Sequence, residues 1–196
     1  MAFEMEGDTV RNIEIRRATE KDAPVIAQAV AMAIGHDSSV NYCGENYLEV
    51  LTEVAQLAGT QYSYANSLVA SVDGEPAGAL CGYDGAALDE LRAGTLAVVN
   101  KYNPLDGPID DETQPGEFYL DSIGVFPAYR GLGIGSMLIN AMTEIARNEG
   151  YGRIGLIVDF DNPKAEKLYA RLGFRRAGTK MFFGHKMWHL QKTIEQ

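Results

Sequence analysis

The sequence predicts one α/β domain, and three observations carry this prediction. Residues 67–85 alternate as two strands joined by Asp73-Gly74, a dipeptide favoured in tight hairpins. In the second half of the chain, apolar residues first recur at the spacing of a strand and then at the spacing of a helix, and this sequence of patterns occurs twice. The 196 residues also suffice for a substantial single core. We expect the domain to span residues 11–194, after a flexible N-terminus of residues 1–10.

In the first half of the chain, two helices are predicted before the hairpin. The predicted elements are, in order, a strand at 11–18, a helix after Thr19, a helix at 45–59, the hairpin at 67–85 and a helix-like piece at 87–100. Thr19 is a suitable helix cap because Asp22 follows three residues later, as in a capping box. The acidic, turn-rich residues 104–117 predict a mobile loop.

The second half predicts a strand and a helix, each occurring twice, and then two terminal strands. The predicted ranges are a strand at 117–126, a helix at 133–149, a strand at 152–160 and a helix at 163–172. Asn162 followed by Pro163 is a typical helix start, and Gly150 and Gly173 are suitable helix ends.

Charge and cysteine content restrict the class of protein. With 27 acidic and 17 basic residues, the net charge of −10 opposes binding to a polyanion, so we expect no nucleic-acid partner. The N-terminal residues lack a signal-peptide pattern, and no apolar stretch is long enough to cross a bilayer, so we expect no membrane partner. Two isolated cysteines fit a reducing compartment, which predicts a cytoplasmic protein.

Residues 130–136, RGLGIGS, predict an anion site, because the glycines stand where a strand gives way to a helix. A P-loop is excluded, since no lysine lies between Arg130 and Asn148. A dinucleotide-binding motif is disfavoured, because Ser136 occupies the place of its third glycine.

A wider set of residues resembles a known family. The glycine segment matches the pattern (Q/R)-x-x-G-x-(G/A) at Arg130, Gly133 and Gly135, and it is followed by Asn162 and by LYARLGF at 168–174. Together they resemble the GNAT superfamily of acyl-CoA N-acetyltransferases, over essentially the whole chain. The resemblance implies a three-layer α/β/α sandwich around a mixed, mostly antiparallel sheet, whose central strands at 117–126 and 152–160 run parallel and splay apart.

The resemblance also implies acetyl-CoA as cosubstrate. The pyrophosphate would lie on the glycine segment, and the pantetheine arm would enter the gap between the splayed strands. The implied cofactor-binding residues are Ile123, Gly124, Val125, Arg130, Gly131, Gly133, Ile134, Gly135, Ser136 and Asn162. His185 and His189 share a face of the tail, but no third ligand stands near them in sequence, so we expect no metal.

Acetyl transfer to an amine requires a proton acceptor for the amine and a proton donor for the departing thiolate. Tyr169 matches the family's tyrosine donor; the alternative is that it only packs in the apolar helix face. For the base, strand alternation places Glu117 and Asp121 on one face with Ile123 and Val125. In enzymes of the family that the chain resembles, the base often comes from this strand just before the pantetheine contacts, which implies Asp121 first and Glu117 second. Either carboxylate could instead fix a loop through hydrogen bonds.

These expectations combine into one function. The chain is expected to move an acetyl group from acetyl-CoA to a primary amine of a small molecule or peptide, by direct attack in a ternary complex. The alternative is a non-catalytic acyl-CoA-binding regulatory module. The acceptor is left unidentified and a homodimer is left open.

Overall fold

The computed structural model describes residues 11–195, in which helices cover both faces of one sheet. The expected N-terminal segment 1–10 lies outside the described residues. The strands are β1 (Ile13–Arg17), β2 (Ser67–Val72), β3 (Glu75–Asp84), β4 (Phe118–Val125), β5 (Arg153–Asp159), β6 (Arg175–Phe182) and β7 (His185–Thr193). The helices are α1 (Ala23–Ile34), α2 (His36–Cys43), α3 (Tyr47–Gln56), α4 (Leu88–Tyr102), α5 (Ile134–Asn148) and α6 (Pro163–Arg171).

The sheet is mixed and mostly antiparallel, as expected. Its strand order is β1-β2-β3-β4-β5-β7-β6, and β4 with β5 form its parallel pair. That pair is short: Phe118 aligns with Ile154 and Tyr119 with Gly155, after which the strands separate. The predicted splay of the central strands is therefore confirmed.

Two apolar clusters occupy the two faces of the sheet and give the molecule three layers. One joins α5 and α6 to side chains of β4 and β5, and the other joins α1, α2, α3 and α4 to β2 and β3. The predicted hairpin joins β2 and β3, where Asp73 and Gly74 have φ angles of 54° and 88°, the left-handed conformations that a tight type I′ turn requires.

The sequence patterns missed α2, whose residues HDSSVNYC carry little helical apolar periodicity. This helix lies between two glycines with positive φ, Gly35 and Gly44, and packs on its neighbours through Tyr42 and Cys43.

The expectation of a mobile loop before β4 was wrong for its central residues. Glu112 and Thr113 are each 3% exposed, and Glu112 pairs with Arg92 of α4. The sequence pattern did not reveal this pairing, because the arginine lies 20 residues earlier in the chain.

Candidate active site

A β-bulge in β4 determines which side chains face the opening between β4 and β5. Cys81 pairs with Ser122 and Gly82 pairs with Leu120, so Asp121 is the extra residue. The bulge reverses the alternation of the strand. Leu120 and Ile123 both pack in the cluster beneath α5, whereas Tyr119 packs beside α4. The expectation that Asp121 shares a face with Ile123 and Val125 was therefore wrong, because it assumed an unbroken strand.

Where the strands separate, a small cavity opens between them. It is lined by Leu80, Leu120, Asp121, Ser122, Ile123, Ile139, Leu156, Ile157 and Tyr169. Two of the three residues that the sequence nominated for catalysis, Asp121 and Tyr169, thus border the same space. The rest of the lining is mostly aliphatic, which suits the extended arm of an acyl carrier.

Asp121 is held by two hydroxyl groups. The Tyr83 hydroxyl donates to its Oδ2 at 2.7 Å, and the Ser122 hydroxyl donates to its Oδ1 at 2.8 Å. Burial raises the pKa of Asp121, and these hydrogen bonds offset only part of that effect. A carboxylate whose pKa is raised accepts a proton more readily than an ordinary aspartate does.

Tyr169 reaches the cavity from α6, where its ring packs edge-on against Phe174 with the centroids 5.9 Å apart. Among residues 11–195, no protein group forms a hydrogen bond with its hydroxyl. Burial raises the pKa of Tyr169 to about 12, so the phenol keeps its proton at neutral pH. The hydroxyl is thus a proton donor without a protein acceptor.

Glu117 lies in a different environment from Asp121. Its side chain is 1% exposed and accepts hydrogen bonds from Thr113 Oγ1 at 2.8 Å and Gln191 Nε2 at 2.7 Å, while His189 Nε2 lies 2.9 Å from its Oε2. Burial alone would raise the pKa of Glu117, but these hydrogen bonds outweigh it and hold the pKa below its ordinary value. A β-carbon at Gly155 would collide with this carboxylate. Glu117 therefore ties the start of β4 to β7 and lies against Gly155 of β5, just before the strands diverge.

The glycine segment forms the predicted turn at the start of α5. Gly131 and Gly133 have φ angles of 83° and 79°, and a β-carbon at either would meet nothing within 4 Å. The first N–H groups of a helix have no partners inside it, so those following Gly133 are available to an anion. Ile134 buries its side chain in the core at 1% exposure and leaves only its backbone for this purpose.

The other predicted cofactor residues lie in or next to this turn, except Asn162, which stands at the start of α6. Arg130 is exposed, and its Nε donates to the Val125 carbonyl at 3.4 Å. A β-carbon at Gly135 would come within ordinary contact of Val125 and Ile123, and Ser136 follows it half-buried in the first turn of α5. Asn162 caps α6, with its Oδ1 accepting from the Ala165 N–H at 3.1 Å.

Two further structural findings concern metals and membranes. Among residues 11–195, no group of three or more His, Cys, Asp or Glu side chains is placed to bind a metal ion. His189, which the sequence placed in an ordinary terminal strand, is 5% exposed and paired with Glu117. None of the helices in the described part of the chain is long and apolar enough to span a membrane.

The model of the acetyltransferase (GNAT) family matches residues 41–174. The chain belongs to the GNAT family. A solved acetyltransferase structure covers 93% of this chain with 36% identity and a TM-score of 0.78. An N-acetyltransferase from Staphylococcus aureus Mu50 covers 91% of it, with 27% identity and a TM-score of 0.76. GNAT membership makes the chain an acyltransferase, which disfavours the non-catalytic alternative.

Curated relatives match a shorter part of the chain. N-alpha-acetyltransferase RimI of Mycobacterium tuberculosis is 41% identical over 35% of this chain, and thialysine N-epsilon-acetyltransferase of Mus musculus is 46% identical over 28%. The matches span 41% and 32% of those two GNAT relatives, less than half of each.

Proposed function

We propose that this GNAT acetyltransferase is acetyl-CoA-dependent and acetylates a primary amine of a small molecule or peptide by direct attack in a ternary complex. The observation that carries this proposal is the pairing of Asp121 and Tyr169 across one cavity. One side chain accepts a proton readily and the other retains one, and acetyl transfer to an amine requires both properties.

The backbone supports a cosubstrate site beside this pair. Among residues 11–195, no strand pairs with the β5 side of β4 beyond Tyr119. The peptide groups of Ile123, Gly124 and Val125 can therefore bond an extended pantetheine arm as a further strand. A β-carbon at Gly124 would approach the Ala29 backbone of α1 to 2.6 Å, so α1 backs this stretch of β4. The glycine turn then receives the pyrophosphate, with Arg130 exposed beside it.

In this proposal Asp121 takes the proton from the substrate ammonium, because it borders the cavity and its pKa is raised. Tyr169 gives its proton to the departing thiolate. Glu117 does not act as the base, since its carboxylate is enclosed and already accepts hydrogen bonds from Thr113 and Gln191. The names of the relatives support an amine acceptor, since they denote acetylation of an α-amino group in RimI and an ε-amino group in thialysine acetyltransferase.

The test of the acceptor class is thiol release from acetyl-CoA with a panel of amines, polyamines, amino acids, aminoglycosides and peptides. The proposal expects release that depends on the acceptor, and an acetylamide of that acceptor by mass spectrometry. Acetyl-CoA hydrolysis at the same rate with every panel member would contradict it.

The cosubstrate site is tested by calorimetry with two glycine variants. Gly133 and Gly150 stand at the two ends of α5, with φ angles of 79° and 86° and open space around each. Gly133→Val should abolish acetyl-CoA binding, whereas Gly150→Val carries the same backbone strain and should leave binding unchanged. Equal affinity in wild type and folded Gly133→Val would remove the basis for this site.

A further inference from the structure

A chain of hydrogen bonds leads from Asp121 into the protein, away from the cavity. The Tyr83 hydroxyl, which donates to Asp121, itself accepts from Gln61 Nε2 at 3.2 Å and lies 3.5 Å from Glu112 Oε1. Gln61 Nε2 also donates to that same Glu112 oxygen, at 2.8 Å. We call Asp121, Tyr83, Gln61 and Glu112 the carboxylate relay. Tyr83, Gln61 and Glu112 are each 3% exposed, so this part of the relay is closed to bulk water.

The charges around the carboxylate relay do not balance. The relay contains two carboxylates, and among residues 11–195 the cation that pairs with it is Arg92. Its guanidinium donates to Glu112 Oε2 at 2.6 Å and also to Asp111 Oδ1 at 2.7 Å. Burial, together with the nearby Asp121 carboxylate, raises the pKa of Glu112 to about 7 despite Arg92. Near neutral pH the Asp121 and Glu112 carboxylates can therefore hold one proton between them.

The other ionisable groups facing the pair do not titrate between pH 5 and 9. They come from α2, the segment before β2, β3 and β4, and they are Tyr42, Cys43, Tyr62, Cys81, Tyr83 and Tyr119. Burial raises the pKa of every one of these phenols and thiols, and Arg92 stays charged. Glu117, the residue before β4, has a lowered pKa and stays ionised. Among the groups that face the pair, Glu112 is therefore the one whose raised pKa, about 7, lies in this range, and burial raises the pKa of Asp121 as well.

We infer that Glu112 is a proton store for the acetyl-transfer reaction, filled from Asp121 through the Tyr83 hydroxyl. This inference rests on the proposed function, in which Asp121 is the base. Tyr83 passes its own proton to Glu112 Oε1 while it accepts the proton held on Asp121 Oδ2, so the phenol is unchanged afterwards. Gln61 holds the hydroxyl and the carboxylate together and carries no proton itself. Glu112 and Tyr83 are positioning residues, because they reach the substrate only through Asp121.

Proton counting shows why a store is useful. An ammonium that becomes an amide loses two protons from nitrogen, the departing thiolate takes up one, and one is left over. Asp121 can hold one proton at a time. By passing the first to Glu112, it becomes a carboxylate again in time to take the second, when the nitrogen bonds the acetyl carbon. The second proton leaves Asp121 through the cavity and replaces the one that Tyr169 gave to the thiolate. Glu112 releases the remaining proton after turnover, so all three side chains return to their starting states.

The test is the pH dependence of kcat at saturating substrates for wild type, Glu112→Gln and Tyr83→Phe. We expect kcat on the alkaline plateau to fall about tenfold or more in both variants. In Glu112→Gln the acid limb should also move to lower pH, because neighbouring carboxylates disfavour each other's ionisation and Asp121 then titrates without a second carboxylate in the relay. The kcat of the double variant Tyr83→Phe/Glu112→Gln should equal that of the slower single variant, since both substitutions interrupt the same path.

Matched variants separate this role from a structural one. Asp111→Asn removes a carboxylate from the same arginine but lies outside the relay, so its pH profile should match wild type. Glu112→Asp keeps the carboxylate and should retain the acid limb even if packing suffers. A lower plateau with an unmoved acid limb in Glu112→Gln would overturn the inference.

A second measurement does not depend on turnover. Infrared pH titration of the full chain without acetyl-CoA should show a carboxyl that titrates near pH 7, present in Tyr83→Phe and absent in Glu112→Gln. Absence of that signal in wild type overturns the proton store. If Asp121→Asn is inactive while Glu112→Gln behaves as wild type, the relay fails and the proposed function stands. If Asp121→Asn keeps full activity, the proposed base itself fails.

Discussion

Glu117 immediately precedes β4 and Asp121 lies within it, four residues later, yet the pKa values of the two carboxylates are shifted in opposite directions. Glu117 is surrounded by donors from the preceding loop and from β7, and its pKa is lowered. Asp121 receives two hydroxyl groups, borders a cavity and has a raised pKa. Burial acts to raise the pKa of both carboxyl groups, so burial alone does not explain the difference.

The difference comes from where each residue stands relative to the strand opening. Glu117 precedes the two β4–β5 pairs, Phe118 with Ile154 and Tyr119 with Gly155, and its carboxylate is enclosed by its hydrogen-bond partners from the preceding loop and β7. Asp121 follows them and is the extra residue of the bulge, which turns its carboxylate toward Tyr83. A single strand thus supplies a structural tie on one side of the splay and a reactive group on the other.

The largest expected effect is on turnover. Asp121→Asn removes the proposed proton acceptor without changing side-chain size, so kcat should fall by about 100-fold or more. The affinity for acetyl-CoA, measured by calorimetry, should stay within about twofold, because the cosubstrate contacts proposed above use backbone groups. Glu117→Gln is the matched comparison and should lose less than about tenfold in kcat. A larger loss in Glu117→Gln than in Asp121→Asn would reverse the assignment.

In stability the order of the two variants should be reversed, with Glu117→Gln losing more than Asp121→Asn. Glu117→Gln replaces the charge that several buried donors share, and we expect the free energy of unfolding to fall by about 2 to 3 kcal/mol. Asp121→Asn should change it by less than about 1 kcal/mol, because burial already disfavours that charge. Urea denaturation of both variants measures this, and equal losses would show that both carboxylates are structural.

The free energy of unfolding should depend on pH through Glu112, the carboxylate linked to Asp121 by Tyr83. Glu112 has an ordinary pKa of 4.5 and a folded pKa of about 7, so above pH 4.5 the folded state binds more protons than the unfolded state. Its contribution is complete below pH 4.5 and is lost as the pH rises through 7. Between pH 5.5 and 7.5 the free energy of unfolding should fall by about 2 kcal/mol from this group. Glu112→Gln should remove that slope, and an equal slope in wild type and variant would assign it elsewhere.

The sequence predicted the strands and helices around the β4–β5 opening well, but it did not predict which face of β4 each side chain occupies. Residues 117–126 alternate regularly, and nothing in YLDSIGV marks Asp121 as the bulged residue, because the register is set by β3. Glu112 stands in an acidic run typical of a solvated loop, and its burial depends on Arg92, which is distant in sequence. Local motifs such as the start of α5 and the cap of α6 were predictable because neighbouring residues decide them.

The smallest predicted effect concerns Tyr169, which faces Asp121 across the cavity. Tyr169→Phe removes the hydroxyl and keeps the ring against Phe174, so the fold and the affinity for acetyl-CoA should be unchanged. We expect kcat to fall about tenfold, because water can replace a tyrosine as proton donor but less efficiently. Tyr151→Phe is a suitable control, since Tyr151 packs edge-on against Phe118 in the same apolar cluster at 5.3 Å. Because the pKa of Tyr169 is raised to about 12, this residue should add no falling limb to the wild-type kcat profile below about pH 10. Full turnover in Tyr169→Phe would leave Asp121 as the sole reactive side chain of the opening and assign thiolate protonation to water.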